Sequence, residues 1–197
     1  MAEAKFDEAF YITLKHEGGY VNDPDDRGGE TYMGIARKFH DDWSGWECID
    51  SYEDKSNLKN DSTLHELVKE FYLEKFWNVS NLGDLQQDIS NKLFDVGVNQ
   101  GVGTAGKYLQ KALNMLNNNQ KYYNNIKVDG KVGSGTVSAF RTYLGKCNSM
   151  SSRSIKEGIS VLLDIIKGEQ YMRYRNIVTK SEGQEKYFYG WVKRIKG

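Results

Sequence analysis

The sequence predicts a mostly α-helical (α+β) protein with one small β region near the N-terminus. Three observations carry this. Apolar residues recur at helical spacing near the N-terminus and again from about position 63 to the C-terminal end. Glycines and the single proline, Pro24, crowd into positions 18–35. No internal repeat divides the 197 residues, so one large domain or two small lobes sharing a core fit the length.

Residues 4–17 read as an amphipathic helix, because Phe6, Phe10 and Leu14 fall every four positions on one stripe. Glu17 lies eleven positions after Phe6, about three turns at ~3.6 residues per turn. Its carboxylate is therefore expected on the apolar face, where burial disfavours the charged form and raises the pKa. Gly18-Gly19 then stops the helix. Residues 18–35 read as short strands joined by tight turns. Residues 41–61 are polar and irregular and are expected to form a loop carrying Trp43 and Trp46.

A helix should begin near Thr63, which has capping-box spacing to Glu66, and run along Leu64, Leu67, Val68, Phe71 and Tyr72 to about Trp77. Further helices are expected over 87–98 and 103–117. The Asn-rich run NNNQKYYNN should form a loop and DGKVG a turn, followed by a helix on Val137, Phe140 and Leu144. The polar break CNSMSSRS precedes a helix from Ile155 towards Arg175, and YFYGWVKRI closes the chain as a short helix. Trp77 and Trp191 are expected to be buried anchors.

Composition narrows the function. Lys+Arg and Asp+Glu both number 27, so nothing suggests a nucleic-acid partner. Lys193, Arg194 and Lys196 read as a solvated helix face. Cys48 and Cys147 form no metal or redox motif and are read as free thiols. Three His without an HExxH pattern argue against a metal site. No apolar run approaches the ~20 residues of a membrane span, and the polar N-terminus is no signal peptide. The expectation is synthesis in the cytoplasm without stable membrane insertion. The 13 Tyr and 4 Trp suit sugar rings, which offer apolar faces and hydroxyl edges.

The segment richest in chemistry is KHEGGYVNDPDDRGGETYMGI, positions 15–35. It pairs Glu17, on an apolar face, with Asp26 nine positions later in a polar turn, and Thr31 follows five positions on. A raised carboxylic acid beside an ionised carboxylate is the division of labour a glycosidase needs. Asp23, Asp25 and Asp26 are also ordinary turn formers, and Asp25 is nearly as good a candidate as Asp26.

The run EGGYVNDPDDRGGETYMGI resembles the N-terminal signature of glycoside hydrolase family 108. That family is related to phage-type lysozymes and has been described as N-acetylmuramidases or secretion activator proteins. The resemblance continues through FYLEKFWNVSNLGDLQQDISNKLFDVGVNQGVGTAGKYLQKALN, VDGKVGSGTVSAF and YFYGWVKRI, in the family's order. It implies a lysozyme-like fold, with a catalytic lobe over 1–90 and, over 91–197, a helical lobe resembling a peptidoglycan-binding domain and packed with the first. It implies Glu17 as catalytic acid, with Asp26 and Thr31 completing the Glu, Asp, Thr series; here the Asp–Thr gap is one shorter than in phage-type lysozymes.

The implied activity is hydrolysis of the β-1,4 bond between N-acetylmuramic acid and N-acetylglucosamine, with no cofactor. Tyr20 and Tyr32 would stack on sugar unless they belong to the core. Asn99, with Gln100 beside it, would bind an N-acetyl group unless it only caps its helix. The expected partner is peptidoglycan, met by a monomer acting in the periplasm or cell wall after release by a holin or an export system. Two rivals stay open: a lytic transglycosylase, and a non-catalytic binding or secretion-activating protein.

Overall fold

The computed structural model describes residues 3–15, 18–22 and 29–196. The chain divides into two compact units, one spanning Lys5–Val79 and the other running from Ser80 onward. Ala4 belongs to the second, where its N–H donates to the Gly83 carbonyl (3.1 Å).

The first unit holds α1 (Phe6–Leu14), β1 (Tyr20–Asn22), β2 (Glu30–Tyr32), β3 (Ile35–Ala36), α2 (Gly45–Asp50) and α3 (Ser62–Tyr72), the last continued by a π-turn over Leu73–Trp77. Asp7 and Glu8 in the first turn of α1 complement its dipole. Phe10 and Leu14 are buried as the stripe predicts, and Trp77 lies edge-on to Phe6 with centroids 5.7 Å apart. The three strands form one antiparallel sheet in the order β1-β2-β3.

Residues 41–61 are not an irregular loop. They contain α2 and a 3-10 segment, Lys55–Asn60, and both tryptophans are core residues. Polarity misleads here because the segment satisfies itself through side chains. Trp46 Nε1 donates to the His40 carbonyl (2.6 Å), and the Lys55 ammonium caps α2 by donating to the Ile49 and Tyr52 carbonyls. The Trp43 ring lies where a side chain at position 45 would be, within 2.3 Å of an ideal Cβ, so Gly45 lets the ring lie flat on α2. The cap of α3 is Asp61, which accepts from the Leu64 N–H (3.0 Å), and not Thr63 with Glu66.

The second unit is helical: α4 (Gln87–Gln100), α5 (Val102–Leu116), α6 (Ser134–Ser149), α7 (Ile155–Lys180) and α8 (Glu185–Lys196). Gly101, at φ 91°, separates α4 from α5 in a single residue. Helix α6 runs three residues into the expected polar break, because Cys147 is buried in its last turn. Trp191 is half-buried rather than buried, stacked between Tyr174 (5.0 Å) and Tyr187 (6.0 Å).

The DGKVG turn is held from α5. Gln110 donates to Asp129 Oδ1 and the Lys131 carbonyl (both 3.0 Å) and accepts from the Gly130 N–H (2.8 Å). An ideal Cβ on Gly106 would sit 2.1 Å from the Gly130 carbonyl oxygen, so helix and turn touch backbone to backbone. Among the described residues no helix is long and apolar enough to cross a membrane.

Candidate active site

Strand pairing decides which hairpin side chains share a face. Tyr20 opposes Tyr32, Val21 opposes Thr31 and Asn22 opposes Glu30. With a side-chain period of two, Tyr20, Tyr32, Asn22 and Glu30 lie on one face, while Thr31 lies on the other. The Thr31 hydroxyl donates to the Gly29 carbonyl (3.2 Å).

The Tyr20 face borders a groove of about 300 Å³, closed on its other side by Lys55, Ser56, Leu58 and Lys59. Gly19 lines the same groove, two residues after Glu17 in sequence. The Gly19 carbonyl accepts from the Met33 N–H (3.3 Å), which ties the chain leaving α1 to the turn between β2 and β3.

That turn is strained. Met33 (φ 45°) and Gly34 (φ 83°) both have positive φ, as a two-residue type I′ connection requires. A long side chain is rare in the left-handed region and persists only where neighbours hold it. Tyr72 does so from α3, its hydroxyl donating to the Met33 carbonyl (2.8 Å).

A second constraint is an ion-pair chain that ties Tyr20 to three charged residues absent from the expected site. The Tyr20 hydroxyl donates to Glu30 Oε1 (2.8 Å), and Arg37 donates to Glu30 Oε2 (2.6 Å) and to both Asp50 oxygens. The Arg37 guanidinium also stacks over the Trp46 ring at 4.8 Å. Asp50 holds the Arg37 guanidinium in its charged form, and Arg37 in turn lowers the Asp50 pKa. Partial burial and then the Glu30 carboxylate raise the Tyr20 pKa, keeping the phenol protonated as a donor. The period-two placement of Glu30 beside Tyr32 was a usable signal in the sequence; Arg37 and Asp50 had none.

The sequence-predicted residues fall in three places. Glu17 and Asp26 lie outside the described residues. Tyr20, Thr31 and Tyr32 are in the first unit. Tyr20 is half-exposed at the groove, whereas Tyr32 is 1% exposed, with its hydroxyl donating to the Leu58 carbonyl (3.3 Å). Its ring is therefore a core member that shows only an edge to the groove, and a buried ring has no open face for a sugar.

Asn99 and Gln100 are in the second unit, on the last turn of α4. Asn99 is exposed and bonds back to the Asp95 carbonyl (2.7 Å) and Oδ1 (3.2 Å). Gln100 accepts from the Tyr108 hydroxyl (2.9 Å), and its Nε2 is buried without a hydrogen-bond partner among the described residues. Arg194 is not part of a free basic patch, since it donates to Asp95 Oδ1 (2.8 Å). No group of three or more His, Cys, Asp or Glu side chains among the described residues could hold a metal ion.

Comparison with known proteins places this geometry. Residues 10–101 match the family described as Glycosyl hydrolase 108, and residues 104–196 match the one described as Predicted Peptidoglycan domain. No curated protein matches the chain. Among solved structures, that of Brucella abortus SagA is 22% identical and aligns over 97% of this chain and 89% of its own, with a TM-score of 0.57. At that identity the likeness shows the fold, a mostly helical, lysozyme-like one with a small antiparallel sheet.

Proposed function

From the match of residues 10–101 to glycosyl hydrolase family 108 and of residues 104–196 to a predicted peptidoglycan domain, we propose that the protein is a lysozyme-type N-acetylmuramidase with Glu17 as its general acid. The observation that carries the reading is the family match over residues 10–101, which includes the whole Glu17–Thr31 segment. The bond cut is the β-1,4 link from N-acetylmuramic acid to N-acetylglucosamine. Glu17 protonates the glycosidic oxygen, and Asp26, as an ionised carboxylate, stabilises the oxocarbenium-like transition state or activates water. Thr31 helps position that water through the oxygen lone pairs that its bond to Gly29 leaves unused.

The groove beginning at Gly19 lies on the hairpin face opposite Thr31, so it supports a glycan subsite beside the reacting centre and not the centre itself. Tyr20 presents a phenol to sugar hydroxyls, and the exposed Lys59 offers a donor to the carbonyl oxygens of the N-acetyl and lactyl groups. The site of action in this reading is the cell wall, reached after export or release.

Activity requires Glu17 protonated and Asp26 ionised, so the pH profile is bell-shaped, with Asp26 on the acidic limb and Glu17 on the alkaline one. The deciding test is murein digestion by wild type and Glu17→Gln, with product masses. The Gln variant should fold normally and lose about 100-fold or more of its lytic rate. Clearing at a rate near wild type would remove Glu17 from its role. Products lacking a water would make the enzyme a lytic transglycosylase.

A further inference from the structure

The second unit has a larger open concavity, of about 520 Å³, between helix α6 and the 3-10 turn Leu82–Asp84 with Asn81 just before it. Its floor is one stripe of α6: Ser134, Ser138, Arg141 and Thr142 fall at i, i+4, i+7 and i+8. An ordinary solvated face carries long charged side chains that fill the space above it. Here three of the four are short hydroxyl residues, and the space stays open.

The opposite wall is fixed. Asn81 has φ 44°, a left-handed conformation, and is locked there by its side-chain amide donating to the Val132 carbonyl (2.6 Å). Across the concavity Arg141 Nη2 meets Asp84 Oδ1 at 2.8 Å, with both side chains about half exposed. Such an exposed pair adds little to stability.

The polar capacity of this site is largely unspent. Arg141 uses one nitrogen and Asp84 one oxygen, leaving Nε, Nη1 and Oδ2 without protein partners among the described residues. The hydroxyls of Ser134 and Ser138 likewise have none, while the Thr142 hydroxyl donates to the Ser138 carbonyl (2.9 Å). The concavity thus offers a guanidinium edge, a carboxylate in direct contact with it, and two further hydroxyls along the same face of α6.

We propose that this concavity binds the stem peptide of peptidoglycan, taking a peptide carboxylate on Arg141 and a peptide ammonium on Asp84. The proposal rests on peptidoglycan being the substrate and adds which part of it the second unit reads. A ligand with both charges replaces what it displaces from the Arg–Asp pair, since guanidinium and carboxylate form paired bonds. A peptide-free glycan, with a lactyl carboxylate at most and no ammonium, does not. Peptidoglycan supplies both charges only in its peptide, which carries a C-terminal carboxylate and the side-chain amine of its diamino acid. Ser134 and Ser138, which line the same concavity, suit the amides of the peptide leading to these charges.

The test is titration calorimetry on the full chain with three probes: a disaccharide–tetrapeptide muropeptide, the free tetrapeptide, and the disaccharide without peptide. Arg141→Gln and Asp84→Asn should each weaken muropeptide and free tetrapeptide by about tenfold or more. Both should leave the weaker binding of the disaccharide and the cleavage of peptide-free glycan strands at wild-type values. Arg141→Lys, which keeps the charge without the fork, should fall between.

Unchanged peptide affinity in both variants would overturn the site, as would peptide-free disaccharide binding as tightly as muropeptide. Thermal melts show that each variant is folded, and two variants on opposite walls guard against failure of one. The two readings fail separately: a wild type that cleaves no glycan but binds peptide through Arg141 loses the muramidase assignment alone.

Discussion

The two units are stabilised in different ways. In the first, short strands with few ladder bonds are held from outside by side chains reaching for backbone: Tyr72 to Met33, Tyr32 to Leu58, Lys55 to Ile49 and Tyr52, and Trp46 to His40. Its core is a chain of aromatic contacts running Trp46, Trp43, Phe71, Tyr72 and Phe10. In the second, helices satisfy their own backbones, and Leu109, Leu113, Phe140, Leu144, Leu162 and Ile166 fill the core. Its sensitive points are places where backbone meets backbone. A strained hairpin positioned by a few polar side chains suits a site that must present defined groups, while close helix packing suits a binding platform.

The largest expected effect tests the second half of that contrast. Gly106→Ala puts a methyl 2.1 Å from the Gly130 oxygen, with backbone on both sides, and should cost about 3 kcal/mol or more in denaturant unfolding. Gly19→Ala, with nothing within 4 Å of its new methyl, should cost less than about 1 kcal/mol. Equal costs would break the comparison.

A middle effect is expected at Tyr72→Phe, which removes the hydroxyl holding the Met33 carbonyl and leaves the ring contacts intact. The stability loss should be about 1 kcal/mol. Lytic activity should fall by a larger factor, because the turn it releases is tied to Gly19. Chemical denaturation alongside murein turnover separates the two. Activity at the wild-type level would show that the hairpin needs no outside support.

The smallest effect depends on pH. The Leu64 N–H first, then the Cys48 thiol and the Tyr52 hydroxyl, hold the Asp61 carboxyl at a pKa of about 2. A depressed carboxylate pKa means the unfolded chain takes up the proton first, so this stabilisation is complete above about pH 4. It is lost as pH falls from there towards 2. Wild-type melting should drop through that window, and Asp61→Asn, which still caps α3, should show a shallower drop with a difference of only about 2 °C at neutral pH. Parallel melting curves from pH 2 to 5 read this directly.

Much of the molecule was determined by local sequence. Helices α4, α5, α7 and α8 follow from apolar periodicity, which is a property of each segment's own spacing. The three short strands follow from glycine clustering over 18–35, and the family signature from an ordered run of residues that no folding step rearranges. Tertiary structure decided the rest. Trp43 and Trp46 look like loop residues until α3 and Gly45 supply a surface to bury them. Thr63 and Asp61 are both competent caps, and only the backbone path into α3 selects Asp61. Tyr20 and Tyr32 read alike as aromatic residues of one hairpin face, yet packing on Leu58 puts one in the core and leaves the other at the groove. The Glu30–Arg37–Asp50 chain joins residues up to twenty positions apart, and charge pairing at that range is set by where the backbone turns, which no local pattern encodes.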